Sequence, residues 1–320
     1  MSQIRQADRN AHTLIEYSNF LFWSTEYRES HRCALEGLAV LGSNDDPSAT
    51  LLWSHASYVI FCDLLFLGEW GEAVREIDTC VARLTRNAID DWAQLLRFWR
   101  AWLNTYAMDF AGALAICEDV VRSFGDRIPP PDQRFYLVVA GTAEVALGKH
   151  ERALAHLSLA RHEMDRQTVQ NDWYCRLPLE SALTELWLAK GDLAQARAQG
   201  ERFLQVTLDT AERTWQALAW EANARVAMVH CDLQRAQEFI GKALSTVDAF
   251  EVPLAAWQVH ATAAALAERV GNVESAQRHR EMSRETILKI ADSLPLGESL
   301  RNIFLSASRV AAILGTSAAG

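Results

Sequence analysis

The sequence predicts an all-α fold, a right-handed superhelix of about seven antiparallel helix pairs ending in a C-terminal capping helix. Three observations predict it. A motif in which a turn residue is followed five positions later by a small residue recurs along nearly the whole chain. Turn formers are scarce, with 15 glycines and 7 prolines in 320 residues, well under the usual combined share of about 12%. No alternating Val, Ile and Thr run bounded by turns marks a strand. Half the chain is apolar and 22% charged, so it can bury a substantial core.

The first pair opens on Leu14, Ile15, Phe20, Leu21, Phe22 and Trp23 and turns at STEYRESHRCALEG, 24–37. The second turns at LGEWGEAVREIDTC (67–80), the third at AMDFAGALAICEDV (107–120) and the fourth at LGKHERALAHLSLA (147–160). The fifth, sixth and seventh turn at AKGDLAQARAQGERF (189–203), HCDLQRAQEFIGKA (230–243) and VGNVESAQRHREMS (270–283). The small residues Ser30, Ala73, Ala113, Ala153, Ala196, Ala236 and Ala276 are spaced 43, 40, 40, 43, 40 and 40 apart. Each should lie where the two helices of a pair approach most closely, since a large side chain there would push them apart.

Gly68, Gly148, Gly191 and Gly271 stand where a first helix ends. A left-handed residue at that point costs a non-glycine side chain about 1 kcal/mol. Thr25, Met108 and Cys231 replace the glycine in the other turns, which must close differently or carry strain. Prolines 47, 129, 130, 131, 178, 253 and 295 are expected between pairs or in a helix's opening turn, none inside a helix. The solenoid should occupy 1–292 as one elongated unit, each pair contacting chiefly its neighbours. A capping helix is expected over 293–314, with Leu300, Ile303, Phe304, Val310 and Ile313 inward and Glu298, Arg301 and Arg309 outward, then a flexible tail, 315–320. The N-terminal end has no such cap, so a partner domain, a dimer mate or a deleted domain is expected to cover it.

The frame of Gly, a hydrophobic residue two on, Ala five on and Ala seven later, best seen in GKHERALAHLSLA and GEWGEAVREIDTC, resembles the tetratricopeptide (TPR) family over roughly residues 10–290. First helices match less well: Gly141, Ala224 and Ala264 fill the family's small position, whereas Phe61 does not. The period of about 40, against 34 in that family, implies helices longer by up to a turn. It is similar to the repeats in sensor regions of large bacterial ATP-dependent regulators, the maltose-type activators and cyclase-like ATPases. HEAT and armadillo repeats share the period but lack the G-x-x-x-x-A frame.

The formal charge of −10 is a poor match for phosphate backbones or anionic lipid, so direct nucleic-acid binding is not expected. Six scattered cysteines without a CxxC pair read as reduced, buried thiols. No secretory leader and no uninterrupted membrane-crossing run are found, so the chain is expected to be soluble, cytoplasmic and without membrane contact.

No P-loop, G-x-G-x-x-G, G-x-S-x-G or H-E-x-x-H occurs, so no catalytic residue, metal site or cofactor is expected. His150, His156 and His162 are six apart and fall on different sides of a helix, unlike metal ligands. Glu221 and Arg225 read as an ordinary exposed i, i+4 pair, and Asp45, Asp46, Asp90 and Asp91 as N-terminal caps. In solenoids of helix pairs the first helices line the concave face. There the amino half carries Ile15, Asn19, Phe22, Trp23, His55, Tyr58, Cys62, Phe66, Leu95, Phe98, Trp102, Tyr106, Phe135, Val138 and Thr142. The carboxyl half carries Ser181, Glu185, Glu221, Arg225, Gln258, Ala261, Glu268 and Arg269. Trp23, Tyr58, Phe66, Phe98, Trp102, Tyr106 and Phe135 are therefore the candidate groove for a protein or peptide, or a small effector. The same rings would alternatively pack the interior of a tightly curled solenoid. The function expected is non-enzymatic recognition, and the resemblance implies bacterial signalling or transcription control. The alternative is a structural assembly subunit that docks a larger complex or self-associates through its N-terminal end.

Overall fold

The computed structural model describes residues 2–42, 46–169 and 172–316. Among them are sixteen α-helices and no strand. The seven pairs are α1 (Ser2–Trp23) with α2 (Tyr27–Leu41), α3 (Pro47–Phe66) with α4 (Trp70–Arg86), α5 (Asp90–Tyr106) with α6 (Phe110–Phe124) and α7 (Pro130–Ala146) with α8 (His150–Arg166). They continue as α9 (Asp172–Lys190) with α10 (Leu193–Leu208), α11 (Arg213–Val229) with α12 (Leu233–Ala249) and α13 (Pro253–Arg269) with α14 (Val273–Asp292). The chain is an all-α solenoid. Two short helices follow, α15 (Ser299–Ser306) and α16 (Ser308–Leu314).

All seven turns close alike. Thr25, Met108 and Cys231 take the left-handed conformation, with φ of 67°, 62° and 59°, as the four glycines do. In each turn the next residue donates its N–H to the carbonyl five residues back, from Glu26 to Leu21 through to Asn272 to Ala267. Asp109, Asp192, Asp232 and Asn272 then cap the second helix by accepting a backbone N–H. All seven small markers are buried. The pairing is tight: a Cβ on Gly141 would stand 2.7 Å from the Leu157 side chain across α7 and α8.

Several expectations are corrected. Pro178 lies inside α9, because the helix begins earlier, at Asp172. The Asp172 carboxylate accepts the Val169 N–H at 2.7 Å and pairs with the buried Arg134 at 2.5 Å, anchoring α9 ahead of the proline. Residues 293–314 form two helices rather than one, broken where Ala307 is extended (ψ 132°). Five cysteines are buried free thiols, while Cys231 is exposed at its turn. Ser48–Phe66 of α3 is long and apolar enough to cross a membrane, yet 78% of that stretch is buried in the protein. Asp46 caps α3 through the Ser48 N–H, Asp45 lies outside the described residues, and α5 has no side-chain cap.

The largest difference is curvature. Instead of an elongated array, the superhelix returns on itself after five pairs. At the tip of the first pair, Thr25 Oγ1 accepts the Arg213 N–H at 2.7 Å and donates to the Ala211 carbonyl. The Tyr27 hydroxyl bonds the Glu212 carboxylate and Thr214 Oγ1. At the tip of the second pair, the Trp70 N–H donates to Ser293 Oγ at 2.9 Å, and the indole packs 4.9 Å from the Phe304 ring. Arg28 grips Glu251 through two N–H groups at 2.6 and 2.5 Å. Rings crossing the interior accompany this closure: Trp23 meets Tyr174 at 4.2 Å, joining α1 to α9, and Trp102 meets Phe66, Phe135 and Tyr174 at 5.4–5.7 Å. The outer face of α1 is not covered, leaving Tyr17 and Phe20 51% and 63% exposed.

Candidate functional site in the lumen

Closure turns the concave face into a lumen holding a cavity of about 480 Å³. First helices α5, α7, α9, α11 and α13 supply most of its wall, with Trp70 and Phe110 entering from second helices and Ser308 and Arg309 from α16. Trp102, Tyr106, Trp215 and Trp257 make much of the surface apolar. Large rings lining a concave site bury extensive ligand area and orient it.

One wall carries charge. Arg225 Nε donates to Glu221 Oε1 at 2.8 Å, and its two Nη groups grasp the Glu185 carboxylate, one at 3.0 Å. Glu221, only 1% exposed, also accepts the Thr262 hydroxyl and an Arg309 N–H at 3.3 Å. Arg309 further donates to Gln258 Oε1 at 3.0 Å and lies over the Trp257 ring. Four helices are thereby tied through two carboxylates and two guanidinium groups. Burial alone would lower the Arg225 pKa, but Glu185 and Glu221 outweigh it and hold it above the ordinary arginine value. Burial likewise opposes ionisation of Glu185, and Arg225 overcomes it, keeping the carboxyl below its usual value. At Arg309 burial wins, and the pKa falls despite Glu221.

Glu221 and Arg225 are thus a buried network rather than an exposed pair, and Arg309 points inward, not outward. Arg309 and the buried Val310 are adjacent on α16, about 100° apart around the helix. Their spacing carries no sign that the side bearing Arg309 faces another wall of the same protein. The Tyr106 hydroxyl and the Trp215 Nε1–H have no partner, but both atoms are buried within the wall and do not open onto the cavity.

The seven groove candidates divide. Trp102 and Tyr106 line the large cavity. Phe66 is fully buried beside Phe22, Tyr27, Trp102 and Tyr106. Phe98 is fully buried as well and packs against Tyr136, while its neighbour Trp99 takes the inward place. Trp23, Tyr58 and Phe135 line a second, smaller pocket with Trp99, Asp132 and Tyr174. In the third repeat Arg97 pairs with Asp119 at 2.8 Å, and Asn104 donates to Asp109 at 3.0 Å. Trp70, Trp215, Trp257 and Arg309 were missed by counting back along first helices. Trp215 and Trp257 lie 16 and 14 residues before their turn residues, Cys231 and Gly271, so they are out of phase with the 40-residue frame, which gives no signal for them.

No known family profile matches the chain. No curated protein matches it either. Among solved structures, the apo form of RapI is similar with a TM-score of 0.51 at 8% identity, over 95% of this chain and 84% of that one. A tetratricopeptide repeat protein from Parabacteroides merdae gives 0.45 at 13% identity, over 92% and 98% of the two chains. BtubC from P. vanneervenii gives 0.44 at 16% identity, over 66% and 84%. The likeness to RapI supports the helical-repeat architecture.

Proposed function

We propose that this protein is a non-enzymatic recognition module that holds a small effector, or the end of a peptide, inside its lumen. The observation that carries the reading is a concave cavity of about 480 Å³ lined by Trp102, Tyr106, Trp215 and Trp257, with a charged wall of Glu185, Glu221, Arg225 and Arg309. The aromatic walls suit an apolar body. The Glu185–Arg225–Glu221–Arg309 network is internally paired and would orient a polar end. A cavity of this volume takes a small molecule whole but only the tip of a polypeptide. Its place in bacterial signalling or transcription control is the setting that the repeat's resemblance implies.

A thermal-shift screen of a metabolite and short-peptide library tests this. Ligands of the lumen should raise the Tm by several degrees and quench tryptophan fluorescence. Ser181→Leu, which narrows the cavity, and Trp257→Leu, which removes a ring from its wall, should weaken the same ligands at least tenfold with helicity unchanged. Ligands insensitive to both substitutions would place binding elsewhere.

One observation favours self-association as a second reading: the stacked pair Tyr17 and Phe20, centroids 6.5 Å apart, stands exposed on α1. Light scattering decides it, since a concentration-independent monomer rules that contact out.

A further inference from the structure

The second pocket lies among the first helices of pairs one to five, apart from the large cavity. Trp23 of α1, Tyr58 of α3, Trp99 of α5, Asp132 and Phe135 of α7 and Tyr174 of α9 surround a space of about 30 Å³. Its rings meet edge to face or stacked: Tyr58 to Trp99 at 4.6 Å, Trp99 to Phe135 at 4.2 Å and Trp23 to Tyr174 at 4.2 Å. Five aromatic side chains thus border one small space, and aromatic faces carry negative charge density. Its one carboxylate, Asp132, has no ion-pair partner among the described residues. The nearest arginine along the chain, Arg134, is held by Asp172. The Tyr174 ring is buried, and its hydroxyl is also without a partner.

We propose that this box binds a methylated ammonium head group. Aromatic faces attract a cation that is weakly hydrated and coated with methyl groups, and a carboxylate at the rim supplies the matching charge. The space holds the volume of about two to three waters, that of a compact head rather than a whole amphiphile. A metal ion fits poorly, since hard cations want several oxygen ligands and no group of three potential ligand side chains occurs among the described residues. An anion would face both Asp132 and the π clouds. Burial pushes the Asp132 carboxyl up to about 6, and a bound cation would draw it back down.

Calorimetry and saturation-transfer NMR on the full chain with choline, against its neutral isostere 3,3-dimethylbutan-1-ol, test the proposal. Choline should bind saturably at neutral pH, and the isostere at least tenfold more weakly. Asp132→Asn should weaken choline at least tenfold and leave the isostere unchanged, while Trp99→Leu should weaken both. Circular dichroism checks that each variant keeps its helicity. Trp257→Leu, which alters the large cavity and lies outside the box, should leave choline affinity unchanged, so the two readings fail separately. Tighter binding of choline than of N-acetyl-trimethyllysine amide assigns the free amine, and the reverse assigns a methylated lysine side chain. No choline binding, equal binding of the isostere, or an unaffected Asp132→Asn variant overturns the proposal.

Discussion

Seven positions hold a left-handed backbone at the same point of the repeat, and three of them carry a side chain there. Such a residue costs on the order of 1 kcal/mol or more, partly offset in a glycine by its greater unfolded-state entropy. Cys231→Gly should therefore raise stability by about 0.5–1 kcal/mol, read from urea unfolding midpoints. Thr25→Gly should lower it, because the hydroxyl accepts the Arg213 N–H at 2.7 Å in the seam. These turns were legible in the sequence, since glycine supplies the pattern and a fixed spacing exposes its replacements. The polarity of Glu221 and Arg225 was legible too, but not their burial. An i, i+4 ion pair looks the same on an exposed helix as on a lumen wall.

Helix pairing is equally readable, as every marker residue is buried, and the caps Asp109, Asp192, Asp232 and Asn272 follow the turn residue directly. What the pattern does not reveal is how paired helices titrate. His260 Nδ1 of α13 lies 3.1 Å from His279 Nδ1 of α14, and burial, followed by His279, lowers the His260 pKa to about 4. A depressed basic group binds fewer protons folded than unfolded. Its contribution is present above the ordinary histidine value of 6.5 and is lost as pH falls toward 4. The wild-type urea midpoint should accordingly drop relative to that of His260→Gln between pH 7 and pH 5, and parallel midpoints would refute this pairing. Pro178 shows the other limit: a proline normally marks a boundary, and here Asp172 starts the helix ahead of it.

Curvature belongs to the molecule as a whole and was the least legible property. A repeat specifies how one pair sits on the next, yet a few degrees per step decide whether the array stays open or meets itself. The rings placed on the first helices act at this level. Trp102, between Phe66, Phe135 and Tyr174, draws four helices inward. A closed array should scatter as a compact body with a radius of gyration of about 20 Å, and a value beyond about 25 Å would contradict closure. Tyr27→Phe removes the O–H donor from the buried Glu212 and should cost about 1–3 kcal/mol. Burial raises the Glu212 pKa, so its contribution is full in acid and declines as pH rises through the raised value, opposite in slope to the histidine pair. The join from Tyr27 to Glu212 and from Trp70 to Ser293 is non-covalent, so the protein is a cuff whose edges meet without being fastened. On the proposed function, a ligand too broad for the lumen's mouth enters and leaves only when those edges part, so its capture and release would share one clock, the breathing of the cuff.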